Sequence, residues 1–513
     1  MIKRIQHVFR QSNVLFFVCI AFTFQFILLL QLKSIDSPNT IGLYQLKGDA
    51  KQYISYCENL YQYGSYFEGS PKQVFSYTNR MPGMCVLYIP LRFFFNQHWT
   101  LNIFILIQVL LSAISSYLLA ISAKKVIKSD FAFYGAFILY GTGMYCTNYN
   151  HRLYTESLAL SSIIISLYFY LSYLEKRKLK HIILFALFIT WCVFLRPFIA
   201  PFIGLAGLYF FFLLLKKQIT LIHFFSFLLP IFIIFGSWTY RNFLKTNTFM
   251  PLQSGWYDGQ KALHSQYMFI RSFGLEWQWW NQNSEHSWFM TDECLKQFHI
   301  TRPNDSIFFK NRLNRNIFTN GLTIDSLKKA RFDCWQSNNP NISETKRDSF
   351  AQSSTKMFER FISSQKEKHP FDYYFSYRMR VMRKLIVQLH GASLVSIRYP
   401  FNIGLMFIDA IYNTFILIIG YISILFLLFY RKNWRVDFLS IIGIPIFIIT
   451  YFAFHLRVYE NRYITLAFPF LIICSLLTIK QILGFKFKYI ILLLLSIILI
   501  SSGIYSVIID IKW

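Results

Sequence analysis

Residues Lys47–Pro90 read KGDAKQYISYCENLYQYGSYFEGSPKQVFSYTNRMPGMCVLYIP. The stretch begins where the first apolar run, Val14–Leu32, ends, and it puts an acid, Asp49, at that edge. It continues as an aromatic, amphipathic segment and closes on Asn79-Arg80-Met81-Pro82-Gly83. An ionisable residue beside an apolar span is costly to keep, so Asp49 is read as functional before it is read as decoration.

Composition fixes the solvent around this loop. The chain has 513 residues, of which 55% are hydrophobic, 20% aromatic and 15% charged. Soluble domains carry about a quarter charged residues, so the deficit points to lipid. The net charge of +28 would suggest nucleic acid in a soluble protein. Here Lys and Arg gather in short loops that hold a membrane chain at its cytoplasmic face, and no nucleic-acid-binding signature accompanies them. Met1–Arg10 is basic, but the run after it is long enough to span, so it reads as a retained first helix and not a cleaved signal.

Loop charge orients the remaining spans. Val14–Leu32 runs outward, Leu101–Ala123 returns to Lys124, Lys125 and Lys128, Phe131–Asn148 goes out, and Thr155–Leu174 returns to Glu175-Lys176-Arg177-Lys178. Ile182–Leu195 goes out, Phe198–Leu215 returns to Lys216-Lys217, and Ile219–Trp238 goes out. After a long polar stretch, Phe407–Tyr430 returns, Phe438–Phe454 goes out, Tyr463–Ile479 returns and Tyr489–Ile509 goes out. The expectation is an all-α polytopic membrane protein with about eleven spans and its N-terminus inside. Met84–Phe95 is too short to be another span and would reverse every later loop, so it is read as a re-entrant or interfacial helix.

Three regions follow: 1–238 with the first outer loop 33–100, an extracytoplasmic cap at 239–398, and C-terminal spans at 399–513. Helical patterning recurs in the cap at Asp325–Trp335, Ser349–Lys366 and Phe371–His390. Trp277, Trp279 and Trp280 suit a small core or the membrane interface. None of the eight cysteines shows a metal spacing. Cys57, Cys85, Cys294 and Cys334 are placed on the oxidising side, with Cys294–Cys334 the favoured disulfide.

The topology gathers a cationic set on the outer face. Asp49, Glu58, Arg80 and Lys47 come from the first loop, and His151, Arg152 and Glu156 from YNHRLYTES. Arg196 lies at the next outer turn, Arg241 and Asn242 at the exit of the seventh span, and His455, Arg457, Glu460 and Arg462 in HLRVYENRY. Arginines bind phosphate through paired, charge-assisted hydrogen bonds. Transfer of a sugar from a lipid phosphate builds positive charge at the anomeric carbon, while arginines stabilise the departing phosphate. One carboxylate then suffices to take the acceptor's proton. Each residue also has a plain structural reading. Asp49 and Glu156 would suit helix N-termini, and Arg196 a helix end. Arg80, Arg152 and Arg241 would suit interfacial anchors. Neither His151 with Glu156 nor His455 with Glu460 completes a metal site, so no cofactor is required.

GDAKQYISYCENLYQYG followed by NRMPG resembles the first-loop pattern of the GT-C glycosyltransferases. More narrowly, it resembles the branch of protein O-mannosyltransferases and aminoarabinose transferases. YTES, FLRP, WTYRN and ENRYITLAFPFL continue the likeness in order, and it does not extend to about Gln260–Tyr399. The resemblance implies a GT-C fold, a polyprenyl-phosphate-linked sugar donor, and Asp49 as the catalytic carboxylate. It matches Glu156 to a second outer acid that orients the acceptor or, in some members, binds a metal. Many relatives have an acidic pair where this chain has Asp49-Ala50, and that departure weakens the inference of a metal.

The expectation is therefore an inverting transferase at the outer face of a bacterial inner membrane. Asp49 is the base with Glu156 as second acid, and Arg80, Arg152, Arg196, Arg241 and Arg462 hold the phosphate. The partners are the lipid-linked donor, a glycan, lipid or protein acceptor, and membrane lipids. A transporter or flippase of lipid-linked saccharides, or a glycan ligase or polymerase, is the alternative. A transporter would favour internal repeats and broken mid-membrane helices; no pairing of halves is seen in the sequence, and its polar residues lie at one face rather than mid-membrane.

Overall fold

The structure, a computed structural model, describes residues 14–30, 42–44, 46, 49–254, 261–275, 288–290, 317–339, 341–387, 412–413, 415–430, 436–457 and 461–483. The chain divides into two compact units. One holds Met1–Ser254, Leu389–Pro445 and Thr465–Trp513, and the other Gly255–Gln388 and Ile446–Ile464.

The first unit is a helical membrane body. Among the described residues five helices are long and apolar enough to cross a bilayer: Gln97–Ile127, Thr155–Lys176, Pro197–Leu215, Leu221–Thr246 and Arg462–Ile482, the last beginning in the second unit. Shorter apolar helices include Val14–Leu30 and Leu179–Leu195. Two of the long helices make the inner wall. On Gln97–Ile127 the buried face carries Ser112, Ala113, Ser115, Ser116 and Ala120, and on Thr155–Lys176 it carries Ala159, Ser161, Ser162 and Ser166. Such small side chains let helix backbones approach closely in lipid. In Pro197–Leu215 and Leu221–Thr246, by contrast, only 17% of the most apolar window is buried, so these two present their sides to lipid.

The basic ends of several helices meet as the charge rule requires. Lys124 pairs with Asp130, Lys125 pairs with Glu175 at 2.9 Å, and Lys480 donates to the Ile127 carbonyl at 2.8 Å. Lys128 and Arg177 close their helices in the left-handed conformation, with φ of 55° and 51°. One expected span is altered. Phe131–Asn148 is not a single helix: Asp130–Gly141 stops after 12 residues, and the chain continues as the short turns Met144–Thr147 and Asn148–His151. At about 1.5 Å per residue the first piece covers little more than half of a bilayer core. The break falls at Gly141-Thr142-Gly143, where Gly143 lies against the hydroxyl of Tyr412 with no room for a Cβ. The expected span Tyr489–Ile509 lies outside the described residues.

The first loop is ordered around the helix Asp49–Tyr63. Ala50, Tyr53, Ile54 and Cys57 form its buried stripe, and Gly64 ends it at φ 63°, donating back to the Leu60 carbonyl. Glu68–Ser70 and Gln73–Ser76 then make a two-stranded antiparallel hairpin around Pro71-Lys72, with an irregularity at Glu68/Gly69. The short helices Pro82–Met84 and Cys85–Phe94 follow, too short together to span. A disulfide joins Cys57 to Cys85 across 28 residues. This corrects the favoured Cys294–Cys334 pairing: Cys334 is a free, buried thiol, and Cys294 lies outside the described residues. The reason is local. Cys334 sits on the inner face of the helix Ile324–Ser337 with Leu327 and Ala330, in a core of its own unit, and burial pushes its thiol up to about 12.

The second unit is built from Lys261–Ser272, Ile324–Ser337, Glu344–Lys368 and Tyr377–Val387, and the last three agree with the helical patterning of its sequence. Its core holds Phe269, Phe273, Trp288, Phe289, Phe358 and Phe361. Trp277, Trp279 and Trp280 lie outside the described residues.

Candidate active site

Asp49 is the first residue of its helix and Gln52 and Tyr53 follow at one-turn spacing, so the three side chains share a face. Arg80 reaches that face and meets all three. Its Nη2 lies 3.2 Å from Asp49 Oδ1, its Nε donates to Gln52 Oε1 at 2.7 Å, and its Nη1 donates to the Tyr53 hydroxyl at 3.1 Å. The guanidinium also stands 4.6 Å from the Tyr53 ring centre. Arg80 is 7% exposed. An arginine held by three groups along one helical turn fixes Asp49 in orientation as well as in charge. The Tyr56 hydroxyl, one turn further on, lies 3.5 Å from Glu68, which also accepts from Gln52 at 2.8 Å. Hairpin and helix are thus one piece.

Three residues past Arg80, Gly83 fixes where this piece sits in its unit. A Cβ on Gly83 would fall 2.6 Å from the backbone carbon of Phe194, so only glycine permits the approach. The Trp191 indole N–H donates to the Gly83 carbonyl at 2.8 Å and locks the contact. Both partners lie in the last turn of the helix Leu179–Leu195, which ends at Arg196. Arg196 in turn forms an ion pair with Glu156, in the first turn of Thr155–Lys176. Glu156 is 1% exposed. The NRMPG motif therefore connects two acid–arginine pairs, Asp49–Arg80 and Glu156–Arg196.

The other expected residues fall as follows. Arg152, half-buried, closes the turn Asn148–His151, and its carbonyl accepts from Gln108 at 3.2 Å. The same turn is pinned by Gln108 on the Asn150 carbonyl at 3.0 Å and by Ser157 on the Asn150 side chain at 2.7 Å. His151 is buried in it. Arg241 donates to the backbone carbonyls of Tyr66 and Tyr77, the latter at 2.7 Å, and to the Asn242 side chain at 2.9 Å. Ser254 binds Asn79 and the Thr78 carbonyl beside it. Arg241 thus ties down the hairpin, and its named donors end on protein oxygens. Arg462 belongs to the second unit, where its guanidinium lies 5.5 Å from the Tyr463 ring centre. Lys47 and Glu460 lie outside the described residues.

Glu58 has a separate use. It accepts from the Tyr88 hydroxyl at 2.6 Å and pairs with Arg92 at 3.1 Å, next to the Cys57–Cys85 bond. Burial pulls its carboxyl upward, but the hydrogen bonds from Arg92, Tyr88 and Gln62 outweigh that and hold it below its usual value. Sequence reasoning missed Gln52, Tyr53, Trp191 and Gly83 as parts of the site. The Asp49/Gln52/Tyr53 spacing was a usable signal, since residues three and four apart on a helix are neighbours.

The helix that begins at Glu156 also lines an apolar cavity of about 340 Å³. Ser166, Leu167 and Tyr170 from that helix meet Phe185, Phe202 and Tyr209 there. Ser166 is ten residues past Glu156, or about 15 Å along the axis.

Residues 69–253 match the model of the Alg9-like mannosyltransferase family, a segment shorter than half of the chain. No curated protein sequence matches. Among solved structures, the chain is similar to the archaeal oligosaccharyltransferase AglB from Archaeoglobus fulgidus in complex with an inhibitory peptide and a dolichol-phosphate. That likeness has 13% identity and a TM-score of 0.45, and it covers 98% of this chain and 56% of that one. The chain thus spans little more than half the length of that structure's chain. Its apolar helices make the protein an integral membrane protein, and the family match supports the class of GT-C membrane glycosyltransferases. The matching family is not the protein O-mannosyltransferase and aminoarabinose transferase branch that the motifs resemble.

Proposed function

We propose that the protein transfers a sugar from a polyprenyl-phosphate-linked donor to a glycan, lipid or protein acceptor, with Asp49 as the base. The observation that carries this reading is the Asp49–Arg80 pair, held by Gln52 and Tyr53 and joined through Gly83 to Glu156–Arg196. A carboxylate oriented by an arginine is suited to receive the acceptor's proton as the glycosidic bond to phosphate breaks and the new one forms. Attack from the face opposite the phosphate inverts the anomeric centre. The arginines of the site stabilise the charge that develops on the departing lipid phosphate, so no general acid is needed. The apolar cavity beyond Glu156 suits isoprenoid units of the carrier, and Glu156 suits the orientation of the acceptor. In this reading the acting face is the outer one, of a bacterial inner membrane; in support of the face, the helix Thr155–Lys176 carries Glu156 in its first turn and Lys176 in its last.

The test is transfer of radiolabelled sugar from polyprenyl-phosphate donors by the full chain and by Asp49→Asn. Loss of transfer with retained donor binding supports the reading; transfer at the normal rate by Asp49→Asn sinks it.

A further inference from the structure

The second unit contains an arrangement that the reaction above does not use. The π-helical turn Asp372–Ser376 carries Tyr373, and the helix Tyr377–Val387 that continues it carries Arg378. A second π-helical turn, Tyr451–Leu456, ends at Arg457, which adopts a left-handed φ of 57°. Both guanidiniums converge on one phenol. Arg457 lies 5.1 Å and Arg378 5.0 Å from the Tyr373 ring centre, and Arg457 Nη1 donates to the Tyr373 hydroxyl at 2.9 Å and to Ser272 Oγ at 3.1 Å. Arg378 is 2% exposed, and its Nη1 donates to the Ser272 carbonyl over a long 3.4 Å. Among the described residues, Arg378 Nη2 and Arg457 Nε are buried without a hydrogen-bond partner.

Among the described residues, neither arginine has a carboxylate in ion-pair contact. A buried cation without a counter-charge is destabilising, and a second cation beside it adds to that cost. Burial and the charge of Arg457 together bring the Arg378 guanidinium down to about 10. Lys366 adds a third positive charge, 5.4 Å from the same ring. Two backbone turns of a rare type hold the groups in place, and π-turns inside α-helices recur at functional sites.

We propose that Arg378 and Arg457 form an oxyanion site that takes a phosphate group, with the Tyr373 and Ser272 hydroxyls as additional polar contacts. A phosphate supplies the missing negative charge and enough acceptor oxygens for the orphaned Arg378 Nη2 and Arg457 Nε. The site is independent of the role proposed for Asp49.

The experiment is thermal unfolding of the full-length chain in neutral detergent, titrated with inorganic phosphate at constant ionic strength. A parallel series uses nanodiscs with and without phosphatidylglycerol. Phosphate, phosphatidylglycerol or both should raise the wild-type midpoint. In Arg457→Gln the concentration giving half the shift should rise at least tenfold, whereas Arg383→Gln, an exposed change on the Arg378 helix, should match wild type. A response to phosphate alone identifies a soluble oxyanion, and one to phosphatidylglycerol alone a lipid headgroup. Without either ligand, Arg378→Met should be at least as stable as wild type, because it removes the unpaired charge. No shift with either ligand overturns the proposal, as does an undiminished shift in both Arg457→Gln and Arg378→Met.

Discussion

The arginines of the two units are treated in opposite ways. In the first unit Arg80 is matched to Asp49, Arg92 to Glu58 and Arg196 to Glu156, while Arg241 spends its donors on carbonyls. In the second unit Arg378 and Arg457 share a tyrosine and, among the described residues, no acid. A matched arginine places its own acid as well as bringing charge to the site; an unmatched one still lacks an anion. The number of arginines in a sequence therefore says little about phosphate binding until the acids are assigned to them. In the sequence Arg80, Arg152, Arg196, Arg241 and Arg462 read as phosphate ligands. Arg80 and Arg241 turn out to be held by the first loop itself.

The largest effect that could break the contrast concerns the acid that Arg80 places. Asp49→Asn should lower sugar transfer by about 10²- to 10⁴-fold, the range for loss of a general base. Asn can still accept from Arg80, which keeps its bonds to Gln52 and Tyr53, so the unfolding midpoint should fall less than for a change at Glu156. If the midpoint falls as far and the residual rate is high, Asp49 serves the fold and the comparison loses its functional half.

The second pair separates placement from structure. Glu156→Gln leaves Arg196 as a buried, uncompensated cation and should cost about 3–5 kcal/mol of stability in denaturant unfolding. Replacing both, Glu156→Gln with Arg196→Met, should recover most of that loss. A cost below about 1 kcal/mol would mean that water or another group already serves Arg196, and the pair would then be no stronger than a surface one. Next in size is the staple of the first loop. Cys57→Ser with Cys85→Ser should cost about 3 kcal/mol, since the bond closes a loop of 28 residues in the unfolded chain. Transfer should fall with it if the helix of Asp49 is held in register by that bond.

The membrane body was legible because lipid imposes long apolar helices and sorts loop charge, and both survive in a single sequence. The Asp130–Gly141 helix escaped because Gly141-Thr142-Gly143 is apolar enough to pass as part of a span, and only the approach of Tyr412 shows why it stops. The disulfide escaped for a different reason. Cys57 and Cys85 are brought together by the fold of their own loop, while Cys334, placed on the oxidising side by the sequence, faces a core. Asp49 and Glu156 stand out in the sequence by their places at span edges. The pairing of Glu156 with Arg196 could not, because it depends on which helix ends meet in space.

The smallest effect concerns Glu58, the acid whose arginine does no chemistry in this scheme. Its folded carboxyl lies below the ordinary 4.5, so its contribution is fully present above about pH 4.5 and is lost as the pH falls through the lower folded value. Arg92 and Glu58 keep 18% and 12% of their side-chain surface exposed, so the pair is worth about 1 kcal/mol or less. The wild-type advantage in melting temperature over Glu58→Gln should therefore be no more than about 2 °C at neutral pH. It should close below pH 4.5, while the disulfide's contribution stays flat across the same range. If the advantage instead grows as the solution is acidified, Glu58 is raised rather than lowered in the folded chain. It would then belong with the unmatched groups of the second unit, as a buried charge still waiting for its partner.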